Sequence, residues 1–215
     1  MKIGPTRAIL GLIDVQLTFM PGGGLPVPRG DRIVPVANRL LTRFDHAFAT
    51  QDWHPADHAS FASAHPGSLP YETIEMTYGQ QILWPDHGIA GSAEAMLHPD
   101  LDQRRIETII RKGFRRELDS YSAFFENDRT TPTGLDGWLR QRAFTDLYLC
   151  GLATDFCVAW SAEDAIRLGY TVTIIEDACR AIALPSGPGR TTLNDANDRV
   201  TALGARFADS ASLMN

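Results

Sequence analysis

Apolar runs and stretches of helical periodicity alternate along the 215-residue chain. Apolar runs of the length found in buried strands predict strands at residues 7–15, 46–52, 106–113, 145–151 and 170–177, with a short last strand at 205–210. Apolar residues at helical spacing predict helices at residues 32–44, 134–143, 155–169 and 191–205. Pro35 falls in the first turn of the first helix, where proline is tolerated. Gly169 is placed to end the third helix.

The alternation of strand and helix predicts the fold class. Such a pattern is typical of right-handed crossovers, which make the strands parallel and cover both faces of the sheet with helices. We therefore expect an α/β fold with three α/β/α layers, and a single domain over residues 1–215 because the length suits one core. Residues 53–102 show neither pattern and are rich in proline, glycine and histidine. Loops of that length are usually functional.

Residues at the predicted strand ends are the first candidates for chemistry, because open parallel sheets bind ligands beyond the carboxyl ends of their strands. They are Asp14, Asp52, Lys112, the segment from Gly151 onward and Asp177. Taken singly, a turn aspartate or a solvated lysine needs no function. Cys157, in the phrase GLATDFCV, would alone be read as a buried thiol that fills space.

Asp14, Lys112 and Cys157 together indicate a nucleophilic site. A thiol in the first turn of a helix is favoured as the thiolate by the helix dipole. The N–H groups of that turn point to where an oxyanion would develop. A neighbouring carboxylate can accept the thiol proton, and an ammonium group favours the resulting anion. The other two thiols are weaker candidates: Cys150 lies inside a strand, and Cys179 lies near the same edge of the sheet.

A cluster of carboxylates and imidazoles lies in the long loop. The stretch QDWHPADHASF contains Asp52, His54, Asp57 and His58, and LWPDHG adds Asp86 and His87. Such groups suit Zn, Fe or Mn, and the i, i+2 spacing of Asp52 and His54 puts both on one side of an extended chain. The alternative is that histidines in a proline-rich loop only bind backbone groups. The spacing leaves both interpretations open.

Charge and composition exclude several classes of partner. The formal net charge is −6 and the pI about 5.5, which argues against binding to nucleic acid or to an anionic membrane. The longest clean apolar run, Ala8–Ile13, is far too short to cross a bilayer. Three cysteines without framework spacing indicate a reduced, cytoplasmic protein. Phe19 and Trp84 lie near the candidate sites and could enclose a flat ring.

At these positions the sequence resembles the nicotinamidase/pyrazinamidase branch of the isochorismatase-like cysteine hydrolases. The resemblance covers nearly the whole chain in order, through LGLIDVQLTFMPGGGLPV, TQDWHPADHASFAS, LWPDHGIAGSAEA, RKG with DSYSAFFEN, LCGLATDFCV and EDACRAI. It implies a six-stranded parallel sheet of the Rossmann type. It also implies the site residues: a triad of Asp14, Lys112 and Cys157; an oxyanion hole from the N–H groups of Ala153 and Cys157, with a cis peptide before Ala153; metal ligands Asp52, His54 and His87, with Ser60 or His58 as further candidates; and ring contacts from Phe19, Trp84 and Tyr121.

The resemblance further implies a reaction, which is the hydrolysis of nicotinamide to nicotinate and ammonia through a cysteine thioester, as part of NAD salvage. Pyrazinamide is a second expected substrate. One divalent metal ion is implied, zinc first and iron or manganese as alternatives, and a homo-oligomer stays open. One departure is Gly88, where relatives often have cysteine. Three alternatives are kept: another family hydrolase acting on a different amide, carbamoyl or vinyl-ether substrate, a zinc-hydroxide hydrolase, and a non-catalytic metal-binding module.

Overall fold

The computed structural model describes residues 7–213. Its strands are β1 Ala8–Ile13, β2 Ala47–Asp52, β3 Thr73–Met76, β4 Gly79–Ile82, β5 Thr108–Lys112, β6 Asp146–Leu152, β7 Thr171–Arg180, β8 Pro185–Gly187, β9 Arg190–Thr191 and β10 Arg206–Ala208. Its α-helices are α1 Val34–Leu41, α2 Leu135–Gln141, α3 Ala159–Arg167 and α4 Thr192–Ala202. Among these residues, no helix is both long enough and apolar enough to span a bilayer.

Six strands form one parallel sheet in the order β10-β7-β6-β1-β2-β5. The α/β prediction with a six-stranded parallel sheet is thereby confirmed. The middle strand β1 is buried at every residue, as expected for a parallel strand covered on both faces, and this explains its unbroken apolar sequence. Because all six strands point the same way, their carboxyl ends meet at one edge of the sheet.

The structure differs from the predicted elements at several boundaries. The first helix is shorter than predicted: a 3₁₀ turn over Gly30–Ile33 leads into α1, which ends at Leu41. The helix predicted from residue 155 begins with a π-helical turn over Thr154–Val158, and regular α3 follows. The loop 53–102 contains the hairpin of β3 and β4. Strand β3 alternates polar and apolar residues over only four positions, and β4 shows no such alternation, so the pattern was too short to reveal the hairpin.

Asp177 is not at a strand end, and the prediction that the strand ends there is wrong. Strand β7 continues to Arg180. The Asp177 carboxylate accepts hydrogen bonds from the backbone N–H and the hydroxyl of Ser210, at 2.7 and 2.5 Å. Asp177 therefore fastens the C-terminal segment to the sheet.

Gly151 allows β6 to pass close to β1. Its φ angle is +131°, and a Cβ atom there would lie 2.0 Å from the carbonyl oxygen of Ile13. Only glycine fits such an approach and such a φ angle without strain. The residues that follow Gly151 are consequently delivered beside the end of β1, where Asp14 lies.

We expect Gly151→Ala to lower the free energy of unfolding by at least about 2 kcal/mol, because the added methyl group collides with backbone atoms. Urea unfolding followed by circular dichroism measures the change. The matched control is Gly137→Ala in α2, where, apart from chain neighbours and the helix's own backbone, no atom of residues 7–213 lies within 4 Å of the added Cβ. That variant should raise the free energy of unfolding by about 0.8 kcal/mol through helix propensity. Equal unfolding midpoints for the two variants would contradict the prediction.

Candidate active site

The side chain of Lys112 lies at the centre of the site and is fully buried. Its Nζ is 2.9 Å from Asp14 Oδ2, donates to Asp52 Oδ1 and to the Ser120 carbonyl at 2.8 Å, and lies 3.5 Å from Cys157 Sγ. The ammonium group thus touches two carboxylates and the thiol at once. The acid, the ammonium and the thiol expected at one edge of the sheet are brought together there.

Strand register explains this convergence. Asp52 and Lys112 are paired residues at the ends of β2 and β5, and Asp14 follows the end of β1 directly. Thr50 orients the Asp14 carboxylate: its hydroxyl accepts the Asp14 N–H at 3.0 Å and donates to Asp14 Oδ1 at 2.5 Å. With Oδ1 held by Thr50, the second oxygen faces Lys112.

Burial and charge set the protonation of these groups. Burial raises the pKa of Asp14 to about 6, against the lowering effect of Lys112. Burial acts to raise the pKa of Asp52, but Lys112, His54 and His87 together outweigh it, and the pKa lies below its usual range. Burial raises the pKa of the Cys157 thiol well above its ordinary value, although Lys112 acts in the opposite direction. The resting site therefore holds a neutral thiol beside a carboxyl group able to accept a proton near neutral pH.

Asp52, His54 and His87 form a compact group of potential metal ligands, with one ligand atom from each residue within 4.8 Å of the others. The Nε2 atoms of both histidines lie 3.7 Å from Asp52 Oδ2. His54 Nδ1 lies 2.8 Å from the Gly113 carbonyl, and His87 Nδ1 lies 2.8 Å from the Pro85 carbonyl. Because carbonyls only accept, each neutral ring carries its proton on Nδ1 and presents the lone pair of Nε2 towards Asp52.

This arrangement fits a divalent cation. His54 Nε2 is buried and has no hydrogen-bond partner in the described part of the chain, which a metal would supply. Two imidazoles and a carboxylate are the donor set that zinc prefers, and iron and manganese accept it too. Gly113 makes the approach possible, since its φ is +65° and a Cβ there would lie 2.3 Å from the His54 ring.

The pKa values of His54 and His87 are shifted in opposite directions. Burial lowers the pKa of His87 to about 4, with the charge of His54 acting the same way. Burial also acts to lower the pKa of His54, but the nearby Asp52 carboxylate, together with Asp119 and the Gly113 carbonyl, acts in the other direction and the pKa is raised. A metal would therefore compete with a proton for Nε2 of His54.

His58 and Ser60, the further metal-ligand candidates, lie beside this group and bind each other. His58 Nδ1 accepts the Ser60 N–H at 3.2 Å and lies 2.7 Å from the Ser60 hydroxyl. Its Nε2 lies 3.4 Å from the Leu118 carbonyl. The lone pair of neutral His58 is thus directed at Ser60. His58 also forms a second group of potential ligands with His54 and Asp119.

The other acidic residues of the long loop do not join either histidine group. Asp57 is exposed and pairs with Arg116 at 2.7 Å. Asp86 accepts a hydrogen bond from the Ser63 hydroxyl at 2.6 Å.

Cys150 is buried in β6, and burial raises the pKa of its thiol well above the ordinary value, consistent with the inert role predicted for it.

An aromatic cavity opens onto the thiol. It is lined by Phe19, Leu25, Asp52, Trp84, His87, Asp119, Tyr121, Ala153, Phe156, Cys157 and Ile182, which include all three predicted ring contacts. Phe156 also lines the cavity, with its ring at 90° to that of Trp84 and the ring centres 4.9 Å apart. The Tyr121 hydroxyl accepts hydrogen bonds from Trp84 Nε1 at 3.0 Å and Gln81 Nε2 at 3.1 Å. Its own proton is therefore free to be donated into the cavity.

The turn before Cys157 has the predicted geometry. The Leu152–Ala153 peptide is cis, and the Ala153 carbonyl accepts the N–H groups of Phe156 and Val158 at 3.2 and 3.1 Å. The Ala153 N–H has no acceptor among residues 7–213. It lies in the wall of the cavity next to the thiol.

Sequence reasoning missed two buried polar residues that support the site. Gln16 clamps the main chain of Asp52: its Oε1 accepts the Asp52 N–H at 2.8 Å, and its Nε2 donates to the Asp52 carbonyl at 2.9 Å. Asp119 lines the cavity and accepts a hydrogen bond from Gln81 Nε2 at 2.8 Å. Both lie within stretches that carry the family resemblance, but nothing in the sequence indicates their hydrogen-bond partners.

Comparisons with known proteins show which family the chain belongs to. The isochorismatase domain profile matches residues 8–197. The chain is 53% identical over 171 residues to the nicotinamidase of Acinetobacter baylyi, covering 80% of each protein. The chain belongs to the isochorismatase family. Within the family it groups with nicotinamidases, since it is also 47% identical over 182 residues to the Escherichia coli nicotinamidase, covering 83% of this chain and 84% of that one.

Solved structures of family members share the whole fold. An Acinetobacter baumanii nicotinamidase/pyrazinamidase superposes with a TM-score of 0.92 at 46% identity, covering 97% of this chain and 99% of that one. Two other members were crystallised with ligands. The L. infantum enzyme, in complex with nicotinate, has a TM-score of 0.83 at 33% identity and covers 99% of this chain and 97% of that one. The pyrazinamidase of Pyrococcus horikoshii, in complex with zinc, has a TM-score of 0.73 at 29% identity, and the match covers 94% of this chain and 99% of that one.

We expect the purified chain to bind one zinc ion, and His54→Ala and His87→Ala each to weaken binding by at least about 100-fold, because each removes one ligand. Calorimetry on metal-stripped protein and elemental analysis measure affinity and stoichiometry. The matched control is His46→Ala, which removes a half-exposed imidazole just before β2, at the opposite end of that strand from Asp52. Unchanged zinc affinity in His54→Ala would contradict the assignment.

Proposed function

We propose that this chain hydrolyses nicotinamide to nicotinate and ammonia, with Cys157 as the nucleophile. The observation that carries the proposal is the position of Cys157 Sγ, 3.5 Å from the ammonium of Lys112, which also holds Asp14, at the floor of an aromatic cavity. The nicotinamidases that match at 53% and 47% identity support the substrate. Pyrazinamide, whose ring has the same size, should be hydrolysed too.

The residues divide the reaction between them. Asp14 accepts the thiol proton, and the positive charge of Lys112 stabilises the thiolate. The thiolate attacks the carboxamide carbon, and the developing oxyanion is bound by the N–H groups of Ala153 and Cys157. Asp14 then protonates the departing amine, so that ammonia leaves and a thioester remains. Asp14 next removes a proton from water, which attacks the thioester and releases nicotinate.

The walls of the cavity orient the ring. Phe19, Trp84 and Tyr121 provide apolar faces and one hydroxyl for a flat heteroaromatic ring. A divalent cation held by Asp52, His54 and His87 would supply a Lewis-acid contact for the pyridine nitrogen. Zinc is our first assignment, supported by the donor set and by the zinc complex of the Pyrococcus horikoshii pyrazinamidase. The three cysteines are free thiols, which is typical of proteins in the reducing cytoplasm, and we assign the chain to that compartment.

We expect Cys157→Ala to lower kcat for nicotinamide by at least about 10⁴-fold while nicotinamide still binds, because the variant loses only the attacking atom. Ammonia release measures turnover, and calorimetry measures binding. The matched control is Cys179→Ala, which removes another buried thiol and should keep the wild-type rate.

Two outcomes would overturn the proposal. Full activity in Cys157→Ala together with complete loss after chelation would indicate catalysis by a metal-bound hydroxide. Hydrolysis of a carbamoyl or vinyl-ether substrate, with no ammonia released from nicotinamide or pyrazinamide, would place the chain among the other hydrolases of the family.

A further inference from the structure

A second cavity lies directly behind the wall of the active-site cavity. It has a volume of about 390 Å³, within the range of small-molecule sites. Ile182 lines both cavities. The lining of the second cavity is mixed: Ile174, Leu193 and Phe207 are apolar, and Arg29, Glu176 and Arg180 are charged. Ile182 is therefore the partition, the residue that separates the site containing Cys157 from the neighbouring cavity.

The backbone at Ile182 is fixed relative to the nucleophile by Asp155. Asp155 is buried in the same π-helical turn as Cys157. Its Oδ1 accepts the Ile182 N–H at 3.1 Å, and its Oδ2 accepts the Ala183 N–H at 2.8 Å and the Thr192 hydroxyl at 2.5 Å. Three hydrogen bonds to one buried carboxylate tie the partition to the catalytic turn.

We propose that Ile182 sets the upper size limit of the substrate ring, and that Asp155 is the positioning residue that holds Ile182 in place. This inference rests on the proposed hydrolysis of nicotinamide and narrows its substrate class to unsubstituted single-ring heteroaromatic carboxamides. Shortening Ile182 joins the two cavities, so a small ring substituent gains space, partly lined by Ile174, Leu193 and Phe207, that the native wall denies it.

The test compares kcat/KM for nicotinamide with kcat/KM for its 4-, 5- and 6-methyl derivatives in Ile182→Ala and in the wild type. We expect the ratio of methylated to unmethylated substrate to rise at least about 10-fold for at least one isomer, the scale of one methyl group in an apolar pocket. Ratios within about twofold of the wild type for all three isomers would overturn the proposal. Ile182→Val, the smaller change, should shift the same ratio in the same direction, and no shift in it would also count against the partition.

The matched control is Leu193→Ala, which enlarges the second cavity and leaves the partition intact. Its ratios should stay at the wild-type values, and a rise equal to that of Ile182→Ala would overturn the proposal. The role of Asp155 is tested by Asp155→Asn, whose amide can no longer accept from all three donors. We expect its ratio to rise as well. A lower unfolding midpoint with wild-type ratios would make Asp155 merely structural.

A binding experiment separates this inference from the proposed function. The wild-type rate with nicotinamide tests hydrolysis alone. Calorimetry with the methylated amides on Cys157→Ala, with and without Ile182→Ala, tests the partition without turnover. Tighter binding of a methylated amide in the double variant supports the partition, and equal binding in both overturns it.

Discussion

The ammonium group of Lys112 is a positive charge held entirely away from water. Burying a charge is very unfavourable unless it is paired and hydrogen-bonded. Here Asp14, Asp52 and the Ser120 carbonyl provide the compensation, and the two carboxylates hold the pKa of the lysine well above its usual value despite burial. The rest of the site is arranged around this requirement, because neither carboxylate could be lost without leaving the ammonium undercompensated.

Lys112 also couples the group of metal ligands electrostatically to the Asp14–Cys157 pair. On one side it touches Asp52, which belongs to the group of metal ligands, and on the other it touches Asp14 and Cys157. A change of charge at either half is felt at the other through one side chain, at distances where Coulomb interactions in a buried site are strong. The ring-orienting and bond-breaking parts are thus one electrostatic unit.

The sequence was sufficient for the residues whose position follows from topology. Asp14 follows the end of β1, Asp52 and Lys112 end β2 and β5, and a parallel sheet brings such ends together. His87 is far along the chain from His54 in an irregular segment, so only the family resemblance placed it. The supporting residues Thr50, Gln16 and Asp119 could not be predicted, since their role depends on partners that only the folded chain brings near.

Boundaries were the weakest predictions, and each error has a physical cause. Apolar spacing does not distinguish a π-helical turn from the first turn of an α-helix, so the geometry at Thr154–Val158 was not foreseen. Strand β7 extends beyond its apolar segment because its last residues still pair with Gly151 and Leu152 of β6. That pairing moved Asp177 from the expected edge of the sheet into the body of a strand.

The location of β5 has a consequence for how the molecule comes apart. It is an edge strand, hydrogen-bonded to β2 on one side only, and its outer residue Ile109 is exposed. Edge strands open by local unfolding more readily than central strands, and their amide hydrogens exchange sooner. Because Lys112 is the last residue of β5, the charge that organises the centre is carried by one of the less protected strands of the sheet. Loss of activity in denaturant should therefore precede loss of the fold.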